Sequence, residues 1–529
     1  MLSNILEKQQ RKITIDKVYT PNGLSDHPEI IKDTVKQHFS NWTRKRSISL
    51  WPDQEWQSEY NPLSHIPDNA FSSISNPITI DEFNYMLLNT NFFKAPGPSG
   101  IQHILIKKAS SSLHTLLLQL YNTCLSNADI PAEWKNSNIV LIPKPCEWEG
   151  NLDLTRPITL IETARKDLSS ILTKRISDIC KNLNILQGNN FSVLKNTSTA
   201  SPIHIINSFL EDAREKHKEI WCTFQDMRRA YDSVSWQMLE LAMLRIKMNP
   251  TYITLCRNIH TMRQNQIITE YGPTAPYSVM DGLDQGEVNA PILWRIFYDP
   301  LLCLIKSRHA SHGYSISTKW TSSISKSQHS KSLSLNNLAF VDDTVWIANS
   351  HQSMQQILNT ASQFYNMCDI EINPKKTETI YFKTTDLPSN TELYIGSPHN
   401  KIQILSPSTC TKYLGLFINA NGTFTTQLNK IRADTTFISS LINRKNIIDK
   451  QAIYIINRIF IPAFEYRSQL FTVSKTECEK LMRQFKKVIK IKAKLPSTFP
   501  NSALYHPKLF ALDHLWIIQS CAKITELYY

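Results

Sequence analysis

The chain has 529 residues, 41% of them hydrophobic and 10% aromatic, enough for two or three domains of ~100 to 200 residues each. This balance excludes a small binding module and an aromatic-poor disordered chain. With 58 Lys and Arg against 45 Asp and Glu, the net charge is +13 and the pI about 9.1, which makes a polyanion the first partner to consider. The ten cysteines, from Cys124 to Cys521, form no CxxC pair and no Cys/His cluster at zinc spacing, as expected of free thiols in a reducing compartment. No apolar run approaches the ~18 residues of a membrane span, and the start Met1-Leu2-Ser3-Asn4 lacks a signal-peptide core. The expectation is an intracellular protein, nuclear or cytoplasmic, with no membrane partner.

In chain order, residues 1–75 read as a lead-in, with a β-like patch at Ile13 and Ile15 and a helix from Glu29 to Phe39. Thr79, Asp81 and Glu82 mark a helix start before Phe83, Met86 and Leu87, because a capping oxygen and early acids suit the helix dipole. The run Lys94-Ala95-Pro96-Gly97-Pro98-Ser99-Gly100 predicts a loop. Ile139 to Ile142 predict a strand stopped by Pro143 and Pro145, followed by a basic loop with Arg156-Pro157-Ile158. Leu168, Ile171, Leu172, Ile176 and Ile179 recur at helical spacing. Trp221 to Gln225 read as a strand ending at Asp226, and Ser235 as the cap of a helix through Ile246. Residues 306–333, rich in Ser, Lys and His, read as an exposed insertion. Leu338 to Ile347 predict two strands around a turn holding Asp342 and Asp343. A helix through Met354, Ile357, Leu358, Ala361, Phe364 and Tyr365 comes next, then a strand near Ile370 to Ile372. Beyond residue 420 the pattern is mostly helical and basic, as in Lys480 to Lys492.

Two-metal nucleotidyl transfer needs carboxylates that place two divalent ions about 3.5–4 Å apart, and Asp226 with Asp342-Asp343 could supply them. Their company is the informative part. Asp226-Met227-Arg228-Arg229-Ala230-Tyr231-Asp232 resembles the first catalytic segment of reverse transcriptases. Gly282-Leu283-Asp284-Gln285-Gly286, with Ala290-Pro291 after it, is similar to that family's Gly-x-x-Gln-Gly segment. Phe340-Val341-Asp342-Asp343 looks like its aromatic-Ala-Asp-Asp hairpin. Order and spacing agree for all three. Lys94 to Ile101, Ile142 to Pro145, Arg156 to Ile158 and Lys412-Tyr413-Leu414-Gly415 resemble segments of the non-LTR retrotransposon branch.

The resemblance implies an α+β right-hand polymerase. Residues 1–75 would be a connector, 76–215 the fingers, 216–420 a palm of antiparallel sheet backed by helices, and 421–529 a helical thumb, with the reverse transcriptase domain at about 125–420. It implies RNA-directed DNA synthesis with Mg²⁺ or Mn²⁺, on an RNA template, from a DNA primer or target DNA, with dNTPs. Asp226, Asp342 and Asp343 would hold metal, and Lys376 would be the general acid. Tyr231 would select dNTPs, Gln285 and Gly286 would line the nucleotide and template side, and Lys144 and Arg156 would face the triphosphate. Tyr413, Leu414 and Gly415 would form the primer grip. Val341 stands where the family has Ala, and a β-branched residue is expected to suit a strand there. Ala290 stands where Ser is common, and Gln225, Arg228 and Arg229 are unusual neighbours of Asp226. Ile13 to Phe39 resembles the connector that follows the family's endonuclease. With no nuclease before it, no C-terminal Cys/His knuckle and no RNase H acids, the chain is expected to polymerise without cutting its own target. The rival readings are a catalytically dead, retrotransposon-derived RNA-binding protein and a polymerase of another branch; Tyr231 argues against ribonucleotide use, and Lys94 to Ile101 against a group II intron maturase.

Overall fold

The computed structural model describes residues 15–49, 51–144, 148–194, 197–321, 328–384, 391–397 and 399–528. Near the N-terminus, β1 (Val18–Thr20) and β2 (Gly23–Ser25) form a small hairpin before the Pro28–Trp42 helix. Ile13 lies outside the described residues. Ile15 is fully buried but belongs to no strand, so the first strand begins later than the sequence suggests. The helix turns Ile31, Val35, Phe39 and Trp42 inward at spacings of three and four residues. They pack with Ile139, Leu141, Ile267 and Val279. These belong to a mixed five-stranded sheet in which β4 (Thr155–Leu160), β3 (Asn136–Pro143), β6 (Arg263–Thr269) and β7 (Gly272–Pro273) follow one another and β8 (Tyr277–Val279) also pairs with β6.

The larger sheet is built around β5 (Ile220–Gln225), buried at every position. Its order is β11 (Asn337–Phe340), β12 (Asp343–Ala348), β5, β13 (Glu378–Phe382), β15 (Lys401–Ile404) and β14 (Leu393–Tyr394). Pairing is antiparallel except between β13 and β15, so the expected antiparallel sheet gains one parallel step. Helices Trp236–Arg245, Ala290–Arg308 and His351–Met367 join the core on one face. The Ala200–Glu215 helix packs Ile203, Ile206, Phe209 and Leu210 on the other, against Phe224, Val345 and Ile380. It lies at the end of the span read as fingers, yet its apolar face is spent on this sheet. Before β11, β9 (Tyr314–Thr321) and β10 (Gln328–Leu335) form a separate hairpin. After β15, β16 (Thr411–Tyr413) and β17 (Leu416–Ile418) make another. Helices from Thr425–Arg444 to Leu515–Tyr528 enclose a core of their own, with Ile431, Phe460, Phe485 and Leu515.

Local signals explain most helix ends. Thr79 and Glu82 form a capping box at the Ile80–Asn89 helix, as expected. Ser235 starts its helix without a side-chain cap; the Trp236 N–H donates instead to Asp281 Oδ1 at 2.8 Å. The strand expected at Ile370 to Ile372 is reduced to one bridge, Met227 to Ile372. The Lys94 to Ile101 loop is pinned to the Thr163–Asn182 helix, with Ser99 N–H and hydroxyl donating to the Glu162 carboxylate at 2.8 and 2.6 Å. A Cβ on Gly97 would sit 2.6 Å from Glu162 N, which accounts for glycine there. The nine described cysteines are free. Among the described residues, no helix is long and apolar enough to cross a membrane.

Where β6, the Thr163–Asn182 helix and the Gln285-Gly286 loop meet lies a buried ionic cluster. Arg165 donates to Glu287 at 2.7 Å and reaches Asp284 at 3.4 Å, while Arg263 pairs with Asp284 and donates to the Gly282 carbonyl at 2.6 Å. Removing one partner strands a charge out of water. Arg165→Met is therefore expected to cost about 3–5 kcal/mol, read as a lower urea midpoint. A loss below ~1 kcal/mol would show that water already reaches the carboxylates.

Candidate active site

The pairing of β12 with β5 is antiparallel, with Thr344 opposite Gln225. β5 ends one residue before Asp226 and β12 begins at Asp343, so this register brings the two acids to the same end of the sheet. Phe340 pairs with Asp343, so Val341 and Asp342 form a two-residue hairpin turn. Here the expectation for Val341 fails: it lies in the turn rather than a strand, at a φ of 59° that β-branched residues rarely adopt. The Trp294 indole and the Asn190 amide both donate to the Val341 carbonyl, at 2.9 and 3.2 Å, and hold the turn in place.

Asp226 is fixed from a different direction. The Asn373 side-chain amide donates to Asp226 Oδ2 at 2.8 Å, and the Asn373 backbone N–H donates to the Asp226 carbonyl at 2.9 Å. The Asp226 N–H donates to the Thr377 hydroxyl at 3.3 Å, and the Arg228 N–H to the Glu371 carbonyl at 2.9 Å. The segment carrying Lys376 thus doubles as a clamp on Asp226. Gln225, odd beside an acid in sequence, is buried: its amide donates to the Tyr365 hydroxyl at 2.7 Å and accepts from Trp346 Nε1 at 2.8 Å. Arg229 stacks over Trp42 at 4.1 Å and pairs with Asp153 at 3.0 Å, whereas Arg228 remains exposed beside Glu371.

Burial raises the Asp342 carboxyl, and the Asp226 charge adds to it against the turn's backbone hydrogen bond. Asp343, although its side chain still meets solvent, is pushed up to about 6 by the surrounding protein and then by Asp342 and Asp226. A cleft of about 450 Å³ at Asp226 is lined by Lys144, Arg156 and Lys376 among others. Burial lowers the Lys144 ammonium, and the Lys376 and Arg156 charges lower it further. Three basic residues singled out from sequence therefore share one cleft with Asp226.

Tyr231 follows the acid on a short 3₁₀ turn, half-buried, with its ring 5.9 Å from Trp294. Burial and then Asp342 raise its hydroxyl. Gln285 turns its amide to Asp232 Oδ2 at 3.0 Å, so that side chain is engaged within the protein. Gly286 serves close packing against the protein's own strand, since a Cβ would meet the Thr159 carbonyl oxygen at 2.3 Å. Tyr413 is buried, its ring 5.3 Å from Phe224, and its hydroxyl is raised by burial and then by Asp343. Leu414 and Gly415, at φ of 45° and 86°, make the turn between β16 and β17. Tyr466, from the C-terminal helices, donates its hydroxyl to the Leu414 carbonyl at 2.5 Å. Sequence reasoning missed Asn373, Trp294, Tyr298 and Tyr365. Only Asn373 carried a signal, three positions before Lys376 in the same short run.

The reverse transcriptase (RNA-dependent DNA polymerase) family model matches residues 142–418, more than half of the chain. The chain belongs to the reverse transcriptase family, and its fold is of mixed α+β class. It is 21% identical over 412 residues to a probable RNA-directed DNA polymerase from transposon BS of Drosophila melanogaster, covering 75% of this chain and 42% of that one. It is also 21% identical to the Pol polyprotein of a type-1 R2 retrotransposable element of Nasonia vitripennis, covering 78% and 38%. The RNA-directed DNA polymerase of the mobile element jockey from Drosophila funebris matches at 21%, covering 76% and 42%. These relatives bear out the resemblance to the non-LTR branch, and the chain spans about two fifths of their length. An apo telomerase from Candida tropicalis aligns at 16% identity and a TM-score of 0.37, covering 58% of this chain and 59% of that one.

A carboxyl raised in the folded state keeps its proton where the unfolded chain has lost it, so folding weakens as pH climbs from about 4 to about 6. Asp343→Asn is therefore expected to raise the thermal midpoint at neutral pH and leave it unchanged below the ordinary carboxylate range. An equal gain at every pH would rule out the like-charge cause.

Proposed function

We propose that the chain catalyses RNA-templated DNA synthesis, joining dNTPs to the 3′ hydroxyl of a DNA primer or nicked target DNA on an RNA template. The observation that carries this reading is the cleft in which Asp226 meets Lys144, Arg156 and Lys376, with the Asp342-Asp343 turn near enough that the Asp226 charge acts on both of its acids. In this reading the large sheet with its helices is the palm, β3, β4 and β6 with the helices from Ile80–Asn89 to Thr163–Asn182 are the fingers, and the helices after residue 420 are the thumb.

Among the described residues, no three His, Cys, Asp or Glu side chains are drawn together tightly enough to hold a metal ion. The donor chemistry nevertheless fits a hard divalent cation: carboxylate oxygens alone, with two of the acids held above their ordinary range by burial and mutual repulsion. Asp226, Asp342 and Asp343 would hold Mg²⁺ or Mn²⁺, which when bound stabilises phosphoryl charge and acidifies the primer hydroxyl.

The protein's own groups account for the remaining work. Lys144 and Arg156 bind the triphosphate, Arg156 by its planar fork. Lys376 donates a proton to the departing pyrophosphate oxygen. Asn373 keeps the Asp226 carboxylate turned toward the cleft. Tyr231 stands where a ribose 2′-hydroxyl would intrude, and Gln285 steadies the neighbouring turn through Asp232. The Tyr413-Leu414-Gly415 turn supports the primer backbone, steadied by Tyr466.

Primer extension by the purified chain on an RNA template, with dNTPs or rNTPs and with or without Mg²⁺ or Mn²⁺, is expected to show metal-dependent dNTP incorporation. A folded protein that binds RNA and incorporates nothing would overturn the proposal in favour of a binding-only descendant. Asp342→Asn is expected to lower extension at least about a hundredfold, the scale of several kcal/mol of charge stabilisation, with RNA binding retained; unchanged extension would remove Asp342 from the metal site. Tyr231→Ala is expected to raise rNTP use relative to dNTP by at least about tenfold, as loss of a steric filter does, and an unchanged ratio would leave Tyr231 a core aromatic.

A further inference from the structure

The hairpin of β9 and β10 has no role in the site described above. Its eight register pairs run from Tyr314 opposite Leu335 to Thr321 opposite Gln328, a ribbon about 25 Å long at ~3.3 Å per residue. Only its base is anchored. Tyr314 is buried, lies tilted against Phe209 with ring centres 5.3 Å apart and donates its hydroxyl to Asp212 at 2.7 Å. Gly313 approaches Leu335 so closely that a Cβ would meet its carbonyl oxygen at 2.7 Å. Beyond this clamp, Gln328 to Ser334 are exposed at every position, as are Ser315 and Ser317 to Lys319.

The pairing places Ser315, Ser317 and Lys319 on one face with Ser334, Ser332 and Ser330. That face carries hydroxyls and an ammonium and nothing apolar. Lys331, opposite Thr318, lies one row away on the other face. Neither lysine forms an ion pair among the described residues. In the sequence, Pro300 to Val341 contain no Asp or Glu, but they include Lys306, Arg308, Lys319, Lys326 and Lys331. Of these, Arg308 is spent on Asp53 and Glu55. The charges on the two described strands are thus lysines alone, and the serine face is exposed and rich in hydrogen-bond donors, the complement of a phosphate-lined groove, while the second face carries Leu333 and, packed on the core near the base, Ile316.

Its shape decides which groove. A two-stranded ribbon fits the major groove of B-form DNA, about 12 Å wide, whereas the major groove of an A-form helix is deep and too narrow for side chains to read. The ribbon also leaves the palm at the start of β11, whose other end leads into the Val341-Asp342 turn. It is therefore set away from the carboxylates. We propose that this ribbon is a docking arm for double-stranded DNA, lying in the major groove and touching the backbone through Lys319 and Lys331.

The test is fluorescence anisotropy of the full chain with a DNA duplex, an RNA duplex of the same sequence and an RNA–DNA hybrid, over a salt series. Lys319→Ala with Lys331→Ala is expected to weaken DNA-duplex binding about tenfold or more and to flatten its log–log salt slope by ~1.8, about 0.9 for each phosphate left unneutralised. Binding of the other two helices and extension of a preannealed RNA-templated primer should not change. An equal weakening on all three helices would overturn the proposal in favour of a general polyanion patch, and unchanged binding to DNA would overturn it outright. Replacing the ribbon by a tight turn checks the same point without relying on two side chains: DNA-duplex affinity undiminished in that variant, with primer extension intact, would also refute it. Extension tests the polymerase reading separately, so the two can fail independently.

Discussion

The antiparallel register of β5 against β12 is the constraint on which the site depends, because it brings together acids more than a hundred positions apart in sequence. A slip by one residue would turn every side chain of β5 to the opposite face. Two buried features resist it. β5 has no exposed position to tolerate a slip, and Gln225 at its end finds partners for both ends of its amide in Tyr365 and Trp346. Tyr365 in turn meets the Tyr298 hydroxyl at 2.8 Å, and Tyr298 meets Thr344 at 3.1 Å. A buried amide left unpaired costs about 1–3 kcal/mol, so this chain of hydrogen bonds fixes the register as well as stabilising it.

At the open end of the same pair, local preference gives way to function. Burial and neighbouring carboxylates raise the proton affinity of Asp342 and Asp343, and Val341 takes a backbone conformation that its branched side chain disfavours. Each is unfavourable alone, and each is held by packed neighbours: Trp294 and Asn190 at the Val341 carbonyl, and Asn373 and Thr377 at Asp226. The ionic cluster of Arg165, Arg263, Asp284 and Glu287 does the same for the Gln285-Gly286 loop, whose two flanking acids it neutralises. A rigid surround lets a strained, like-charged site persist in the folded state.

The sequence made legible what is encoded locally. Apolar periodicity marked the helices and the central strands, Thr79 and Glu82 announced their capping box, and the family segments marked Asp226, Asp342 and Asp343. Long-range geometry was not legible. Val341 read as a strand residue because β-branching argues for one, while the two-residue turn follows only from the pairing of Phe340 with Asp343. Gln225 read as an oddity because its partners come from β12 and a distant helix. The Ile370 to Ile372 run has strand composition, but only Ile372 finds a bridge, since the segment is spent on clamping Asp226. Gly286 looked like a place for a ligand to approach, and its neighbour proves to be Thr159.

The proposed DNA arm and the catalytic turn occupy the two ends of one short strand, and the joint between them decides whether they communicate. That joint is Asn336, buried, with its amide donating to the Ile305 and His309 carbonyls at 2.8 and 2.9 Å and its own carbonyl accepting from the Ile347 N–H at 2.9 Å. Three hydrogen bonds to a helix end and to β12 fix the chain between ribbon and turn. A load applied to the exposed ribbon is carried into the Ala290–Arg308 helix before it can reach Val341. Packed interiors pass from one arrangement to another in discrete steps rather than bending smoothly, and a shift of this joint would break all three hydrogen bonds of Asn336 at once. The arm would therefore govern where the enzyme stands on DNA and leave the geometry at Asp342 and Asp343 alone.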